Sequence, residues 1–290
     1  DLWWPVGHGE QSLYEFQIGL RSEGCQHKLT KRAGLRNFKV QQQKDEHGTS
    51  FAFIVNGKPI FSKGANWIPA DSFTTRLKKE DYRRLLESAV RANMNTLRVW
   101  GGGIYEENIF YELCDSIGIL VWQDFMFACA MYPFDSLFLE NVQQEAICNI
   151  KRLRHHPSIA LWCGNNENSE GWKRWGWQDS YTKEQKEEIW IGYKKVFQEI
   201  LPKITKTYSQ SDYWESSPKF GRGNAQHQFE GDAHYWGIWH DAEPFKNFEL
   251  KVPRFMSEFG CVTTCNVGIP TLSTSTTCNS STLLRSNSPL

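Results

Sequence analysis

Two segments of this 290-residue chain carry a glutamate in a setting that could do chemistry: Asn165-Asn166-Glu167, and Ser257-Glu258-Phe259-Gly260. Each follows a short apolar run, at 159–163 and 254–256. Two carboxyl groups facing across a sugar are the equipment of glycoside hydrolysis: one protonates the leaving oxygen while the other acts at the anomeric centre. A separation of about 5–5.5 Å leads through a covalent glycosyl intermediate to retained configuration. Beside Trp rings and near a second carboxylate, the Glu167 carboxyl is expected to titrate above its ordinary range, as suits a general acid. A lone Glu at a strand end is more often an ion-pair partner than a catalyst. Glu170 and Glu215 are read that way, although Glu215 closes a strand. What distinguishes Glu167 and Glu258 is their company. Polar and aromatic residues also gather at Asn66-Trp67, Trp100-Gly101-Gly102-Gly103, Gln123-Asp124 and His234-Tyr235-Trp236.

These clusters need elements that bring them to one place. Each closes an apolar run, and the runs lie at 60–67, 96–100, 119–125, 159–163, 212–215, 233–236 and 254–259. Stripes of helical spacing lie between them: Tyr82, Leu85, Leu86, Ala89 and Val90; then Phe138, Val142, Ala146, Ile150 and Leu153; then Ile189, Tyr193, Val196, Phe197, Ile200 and Ile204. Strands alternating with helices predict an α/β fold with a parallel sheet. Seven strands with ligand-like residues at their C-terminal ends fit a (β/α)₈ TIM barrel better than an open doubly wound sheet, which gathers ligand groups at one switch point. The barrel is expected over 51–260, lacking its last strand and helix. Residues 1–50 alternate over short runs broken by Gly, Lys and Asp, and read as part of an immunoglobulin-like β-sandwich, which when complete needs about 100 residues. Residues 261–290 change texture: 13 of the 30 are Ser or Thr and none is aromatic or acidic. They read as a disordered tail, in which the sequon at Asn279 carries little weight.

Composition narrows the partners. Lys and Arg number 33 and Asp and Glu 33, so no strong field favours nucleic acid or an anionic membrane. The 13 Trp suit a ligand with both apolar faces and polar edges, as a sugar has, or an aromatic-rich core. The eight Cys lack zinc-type spacing: Cys261 and Cys265 have no second pair of ligands at a suitable distance. Cys114, Cys129, Cys148 and Cys163 lie in apolar stretches and are expected to be buried thiols. No apolar run approaches the ~20 residues of a membrane span, and the first residues lack the apolar core of a signal peptide.

The stretches FAFIVNGKPIFSKGANWIPADSF, TLRVWGGGIYE, ELCDSIGILVWQDFMFACAMYP, LWCGNNENSEGW and RFMSEFG resemble, in this order, animal β-mannosidase of glycoside hydrolase family two. The resemblance covers residues 1–260. It implies that Glu167 is the acid/base, Glu258 the nucleophile, and Asn166 the holder of the sugar near its 2-hydroxyl. Asp124 and Trp100 would line the pocket for the terminal mannose, Tyr235 would hydrogen-bond and orient the nucleophile, and Asn66 and Trp67 would add to the wall. His234 and Trp236 would support the site from behind. The implied activity is a retaining exo-β-mannosidase acting on β-mannoside oligosaccharides, with no metal and no cofactor, as a monomer in the lysosome. A related β-galactosidase or β-glucuronidase is the alternative within the family. Outside it stands an inactive truncated form, because complete members extend beyond both ends of this chain.

Overall fold

A computed structural model describes residues 1–260. The Ser/Thr-rich tail, with Cys261, Cys265 and the sequon at Asn279, lies outside the described residues. The chain opens with a hairpin of β1 (Tyr14–Ser22) and β2 (Cys25–Ala33), paired from Tyr14↔Ala33 to Ser22↔Cys25 and exposed on both faces. Phe16, Ile18 and Leu20 share one face of it by the two-residue period of a strand. Three further antiparallel pairings follow. β3 (Phe38–Gln41) and β7 (Lys58–Ile60) flank β6 (Ala52–Val55), and β4 (Lys44–Asp45) pairs with β5 (Gly48–Thr49). The antiparallel sheet therefore runs across the break expected at residue 50. The first parallel strand begins only at Gly64.

Seven parallel strands are then described: β8 (Gly64–Trp67), β9 (Thr96–Val99), β10 (Leu120–Asp124), β11 (Ile159–Cys163), β12 (Asp212–Trp214), β13 (Ala233–Tyr235) and β14 (Met256–Phe259). β8 to β12 form one sheet in chain order, and β13 pairs with β14 in another. Asn66 Nδ2 donates to Ser257 O at 3.2 Å, which ties β14 back towards β8. Every residue of β9, β10 and β11 is buried, as parallel strands covered on both faces must be. In β9 the alternation is plain. Leu97 and Val99 join the helix-side core, while Thr96 and Arg98 turn to the barrel interior.

The helices cover the outside. α1 (Lys79–Arg91) buries Tyr82 and Leu86, and Asp81 in its first turn accepts from Lys78 N at 3.1 Å. α2 (Asn108–Ile117), for which no stripe is predicted above, ends on Gly118 at φ +89, a conformation that favours glycine. α3 (Ser136–Leu153) starts at Asp135, whose Oδ1 accepts from the amides of Leu137 and Phe138 at 3.1 Å. The third predicted stripe is real but interrupted. α5 (Lys183–Lys194) and α6 (Leu201–Tyr208) are joined by a π turn at Lys195–Ile200, where Leu201 N reaches Val196 O. Pro202 has no N–H to give to the preceding turn, and the wider turn absorbs that loss. A short helix, α4 (Asn168–Arg174), follows β11.

The antiparallel segment has its own task. Phe51 and Phe53 are fully buried against Trp122, Trp214 and Phe255, with ring centroids 4.7 Å (Phe51–Trp214) to 6.4 Å (Phe53–Trp122) apart. These rings close the barrel floor, opposite the strand ends that carry the polar clusters. Cys114 and Cys163 are buried as expected; Cys148 is exposed on α3, and Cys129 is exposed because its loop lines the cavity at the barrel mouth.

Candidate active site

Glu167 lies four residues past the end of β11 in the left-handed region, at φ +62, which a non-glycine residue adopts at a cost of about 1–3 kcal/mol. The loop is fixed from both sides. Asn166 N donates to Phe127 O at 2.9 Å and Glu167 N to Ser217 O at 2.8 Å. Asn165 Oδ1 accepts from Asn168 N at 3.1 Å and from Ser216 Oγ at 2.8 Å. The strain holds the carboxyl over the barrel mouth, where a cavity of about 750 Å³ opens.

Glu258, in β14, faces the same cavity. Its Oε1 accepts from Arg98 Nη1 at 2.5 Å and its Oε2 from Trp236 Nε1 at 3.2 Å. His234 stands between the two carboxyls, with Nδ1 2.8 Å from Glu167 Oε1 and 3.4 Å from Glu258 Oε2. One atom from each of Glu167, His234 and Glu258 can be chosen so that all lie within 4.8 Å of one another. That set could hold a cation, but the guanidinium of Arg98 already supplies positive charge to Glu258 at hydrogen-bond distance.

Arg98 is the hub. It is buried and donates from Nη2 to Asp124 Oδ2 and to Asn166 Oδ1, each at 2.8 Å, and from Nη1 to Glu258 and to Asn66 Oδ1 at 3.3 Å. Burial disfavours its charge, but Asp124 and Glu258 outweigh that and hold it protonated. Sequence reasoning gave Arg98 no role. Its signal was a single cation inside an otherwise apolar strand, TLRV, which must find buried partners.

The residues predicted for the site divide. Asn66, Trp100 and Asn166 line the cavity with Glu167 and Glu258. Asp124 does not: it is wholly buried behind Arg98, accepting also from Trp122 Nε1 at 2.8 Å and Gly101 N at 3.0 Å. Its place is to anchor the guanidinium. Trp67 also stands off the cavity, donating to Glu106 Oε1 at 2.9 Å and packed between Tyr82 and Phe110. Tyr235 does not reach Glu258; its hydroxyl donates to Glu243 Oε2. Successive strand residues point to opposite faces, so His234 enters the barrel and Tyr235 leaves it, and the contact expected of Tyr235 is made by Trp236. Glu215 accepts from Tyr193 and Gln198, and Glu170 pairs with Arg174 at 2.8 Å, as structural carboxylates do.

The electrostatics correct one expectation. Burial alone would raise the Glu167 carboxyl, but the hydrogen bond and charge of His234, with Cys129 and Arg98, draw it below its ordinary value. His234 shows the reciprocal effect: burial opposes its charge, yet Glu258 and Glu167 lift it above the usual imidazole range. The imidazole comes from β13, 67 residues away in sequence, which is why carboxylate and Trp neighbours alone misled. Cys129 Sγ lies 3.5 Å from Glu167 Oε2, and burial, then the Glu167 charge, push its thiol up to about 12.

No family model matches the chain. It is 41% identical over 267 residues to β-mannosidase B of Neosartorya fischeri and 41% identical over 266 residues to β-mannosidase B of Emericella nidulans; each match takes in 89% of this chain and 31% of the relative. Among solved structures it is similar to the β-D-mannosidase of Dictyoglomus thermophilum, with 48% identity and a TM-score of 0.82 over 89% of this chain and 31% of that one. β-Glucuronidase 3 of Bacteroides uniformis shares the fold at 19% identity, with a TM-score of 0.63. The chain thus has the fold of these glycosidases, a (β/α) barrel with β-sandwich sequence ahead of it. It spans about a third of the length of the curated relatives it matches.

Proposed function

We propose that this chain carries the catalytic centre of a retaining exo-β-mannosidase, which removes terminal β-linked mannose from oligosaccharides. The observation that carries the reading is the pair of carboxyls: Glu167 and Glu258 face one cavity with oxygens within 4.8 Å, close to the roughly 5–5.5 Å typical of retaining enzymes. Glu258, oriented by hydrogen bonds from Arg98 and Trp236, attacks the anomeric carbon from below the ring. Glu167 protonates the departing oxygen. Water, deprotonated by Glu167, then releases mannose with its β configuration restored. Asn166, fixed by Arg98, offers its amide where the sugar 2-hydroxyl meets the nucleophile. Mannose is favoured over glucuronic acid because identity to the mannosidases is 38–48%, against 17–19% for the β-glucuronidases. The finer reading, an animal enzyme of the lysosome acting as a monomer, belongs to this proposal and rests on the motifs of residues 51–260; the curated relatives named above are fungal.

The test is hydrolysis of nitrophenyl β-mannoside, β-galactoside and β-glucuronide by the purified chain, with the product anomer followed by NMR. Preferential turnover of the mannoside with β-mannose as first product is expected. Glu258→Ala should lower kcat by on the order of 10⁴-fold or more. Preference for the glucuronide, or α-mannose as first product, overturns the reading.

A further inference from the structure

The hydrogen bonds around His234 fix where its protons must be. Asp232, buried ahead of β13, accepts from Trp214 Nε1 at 2.8 Å, Lys219 N at 2.9 Å, and Ser217 Oγ and Ser257 Oγ at 2.6 Å each. A hydroxyl has one proton, and an oxygen 2.6 Å from a carboxylate oxygen has placed it there. Ser217 Oγ therefore has only lone pairs left for His234 Nε2, 2.9 Å away, so Nε2 must be the donor. Arg98 Nη1, 3.5 Å from Nε2, offers no alternative, since its two protons go to Glu258 Oε1 and Asn66 Oδ1.

With Nε2 protonated, neutral His234 would turn a bare lone pair at Nδ1 towards Glu167 Oε1 at 2.8 Å and Glu258 Oε2 at 3.4 Å. A lone pair facing two carboxylates is repelled, so a proton lies between Nδ1 and Oε1. The charged and titratable groups that face this imidazole are Glu167, Glu258, Arg98 and, through Ser217, Asp232.

We propose that Ser217 and Asp232 set the tautomer of His234 so that it shares with Glu167 the proton delivered to the glycosidic oxygen. This rests on the glycosidase reading above and deepens it: the acid/base is a Glu167–His234 pair, with His234 a positioning residue that acts on substrate only through Glu167. In the first step the bond from C1 to the leaving oxygen breaks, the bond from C1 to a Glu258 oxygen forms, and the shared proton passes to the leaving oxygen. Glu167 is left a carboxylate and His234 neutral, with its proton on Nε2. In the second step the oxygen of water bonds to C1, a proton of water returns to the pair, and Glu258 departs as carboxylate. Esterification of Glu258 removes the negative charge that does most to hold His234 protonated, which favours the base form of the pair when a base is needed.

The pair explains how a carboxyl held below its ordinary range can serve as an acid: the proton is kept on its partner. Two substrates separate this from a packing role. The leaving group of mannobiose is a sugar alkoxide and needs a proton, whereas the dinitrophenolate released from dinitrophenyl β-mannoside hardly does. His234→Gln should lower kcat on mannobiose by roughly 10²-fold or more, with a loss under about tenfold on the dinitrophenyl substrate. The basic limb of its kcat/KM profile should move to lower pH. Ser217→Ala, a milder change, should move both readouts in the same direction. Equal losses on both substrates with an unmoved basic limb overturn the proposal. Nitrogen-15 NMR of histidine-labelled protein decides the proton placement without any turnover. The resonance absent from His234→Gln should show Nε2 protonated throughout and Nδ1 losing its proton at lower pH in Glu167→Gln. A neutral Nδ1–H tautomer overturns the proposal even if the chain hydrolyses mannosides. Absence of mannoside turnover with the expected tautomer sinks the mannosidase reading alone.

Discussion

The two ends of the barrel are built on opposite principles. At the floor, Phe51, Phe53 and Phe255 pack ring against ring and need no partner more specific than another apolar surface, while Trp122 and Trp214 pack among them and turn their Nε1–H groups to Asp124 and Asp232. At the mouth, Arg98, Asp124, Asn166, His234, Glu167 and Glu258 are nearly as buried but survive only because each charge meets its counterpart. Buried hydrophobics stabilise by area and shape, so the floor tolerates substitution of similar volume. Buried charges stabilise little and are costly when one partner is removed. The mouth is therefore the part of the fold maintained for chemistry and the floor the part maintained for stability.

The comparison is most exposed to failure at Arg98. Arg98→Met should leave Asp124 and Glu258 without their cation, destabilise the protein by about 3–5 kcal/mol, and abolish mannoside turnover. Asp124→Asn, which keeps the shape, should be milder on both counts. If denaturant melts show Arg98→Met as stable as the parent, the buried pairs are not what holds the mouth. At the other end, Phe51→Ala should cost about 3–5 kcal/mol as a cavity among four rings, while kcat/KM of the folded fraction stays within about threefold. A large fall in kcat at a temperature where that variant is fully folded would mean that the floor and the mouth are coupled.

The same contrast decides what could be read from sequence. All seven strands were legible, because a buried parallel strand is a short apolar run and a run is local. The stripes on α1 and α3 were legible for the same reason. Glu167 and Glu258 could be picked out because both close such runs. The partners that tune them could not. Arg98 meets Asp124 26 residues away and Glu258 160 residues away, and no local pattern records a pairing across that distance. The exchange of roles between Tyr235 and Trp236 depends on the phase of a three-residue strand, which a run of His-Tyr-Trp leaves ambiguous. Residues 51–60 read as the start of the barrel because the texture of the sequence changes there, whereas in the structure Phe51 and Phe53 pack against its floor.

The mouth should also register in stability against pH. The Glu167 carboxyl is lowered in the folded state, so its contribution is present above its unfolded value of about 4.3 and lost as pH falls through the folded value. The His234 imidazole is raised, so its contribution is present below about 6.5 and lost as pH rises through the folded value. Both are in force between roughly pH 4.5 and 6.5, where stability should be greatest. In chemical denaturation across pH 4–8, His234→Gln should flatten the decline above that window. An unchanged decline would mean that its origin is not the His234 imidazole.

The smallest effect is the most discriminating about the site. If Tyr235 points outward to Glu243, Tyr235→Phe removes one hydrogen bond at the surface side of β13 and touches nothing at the nucleophile. It should cost under about 1 kcal/mol of stability and leave kcat within about twofold. Trp236→Phe keeps an aromatic ring but deletes the Nε1–H that Glu258 Oε2 accepts at 3.2 Å. Losing one donor to the carboxylate that departs in the second step should lower kcat by roughly tenfold while KM changes less, because this hydrogen bond strengthens as Glu258 regains its charge in the transition state of deglycosylation. The reverse ranking, with Tyr235→Phe the slower enzyme, would mean that β13 turns its tyrosine to the nucleophile during the reaction.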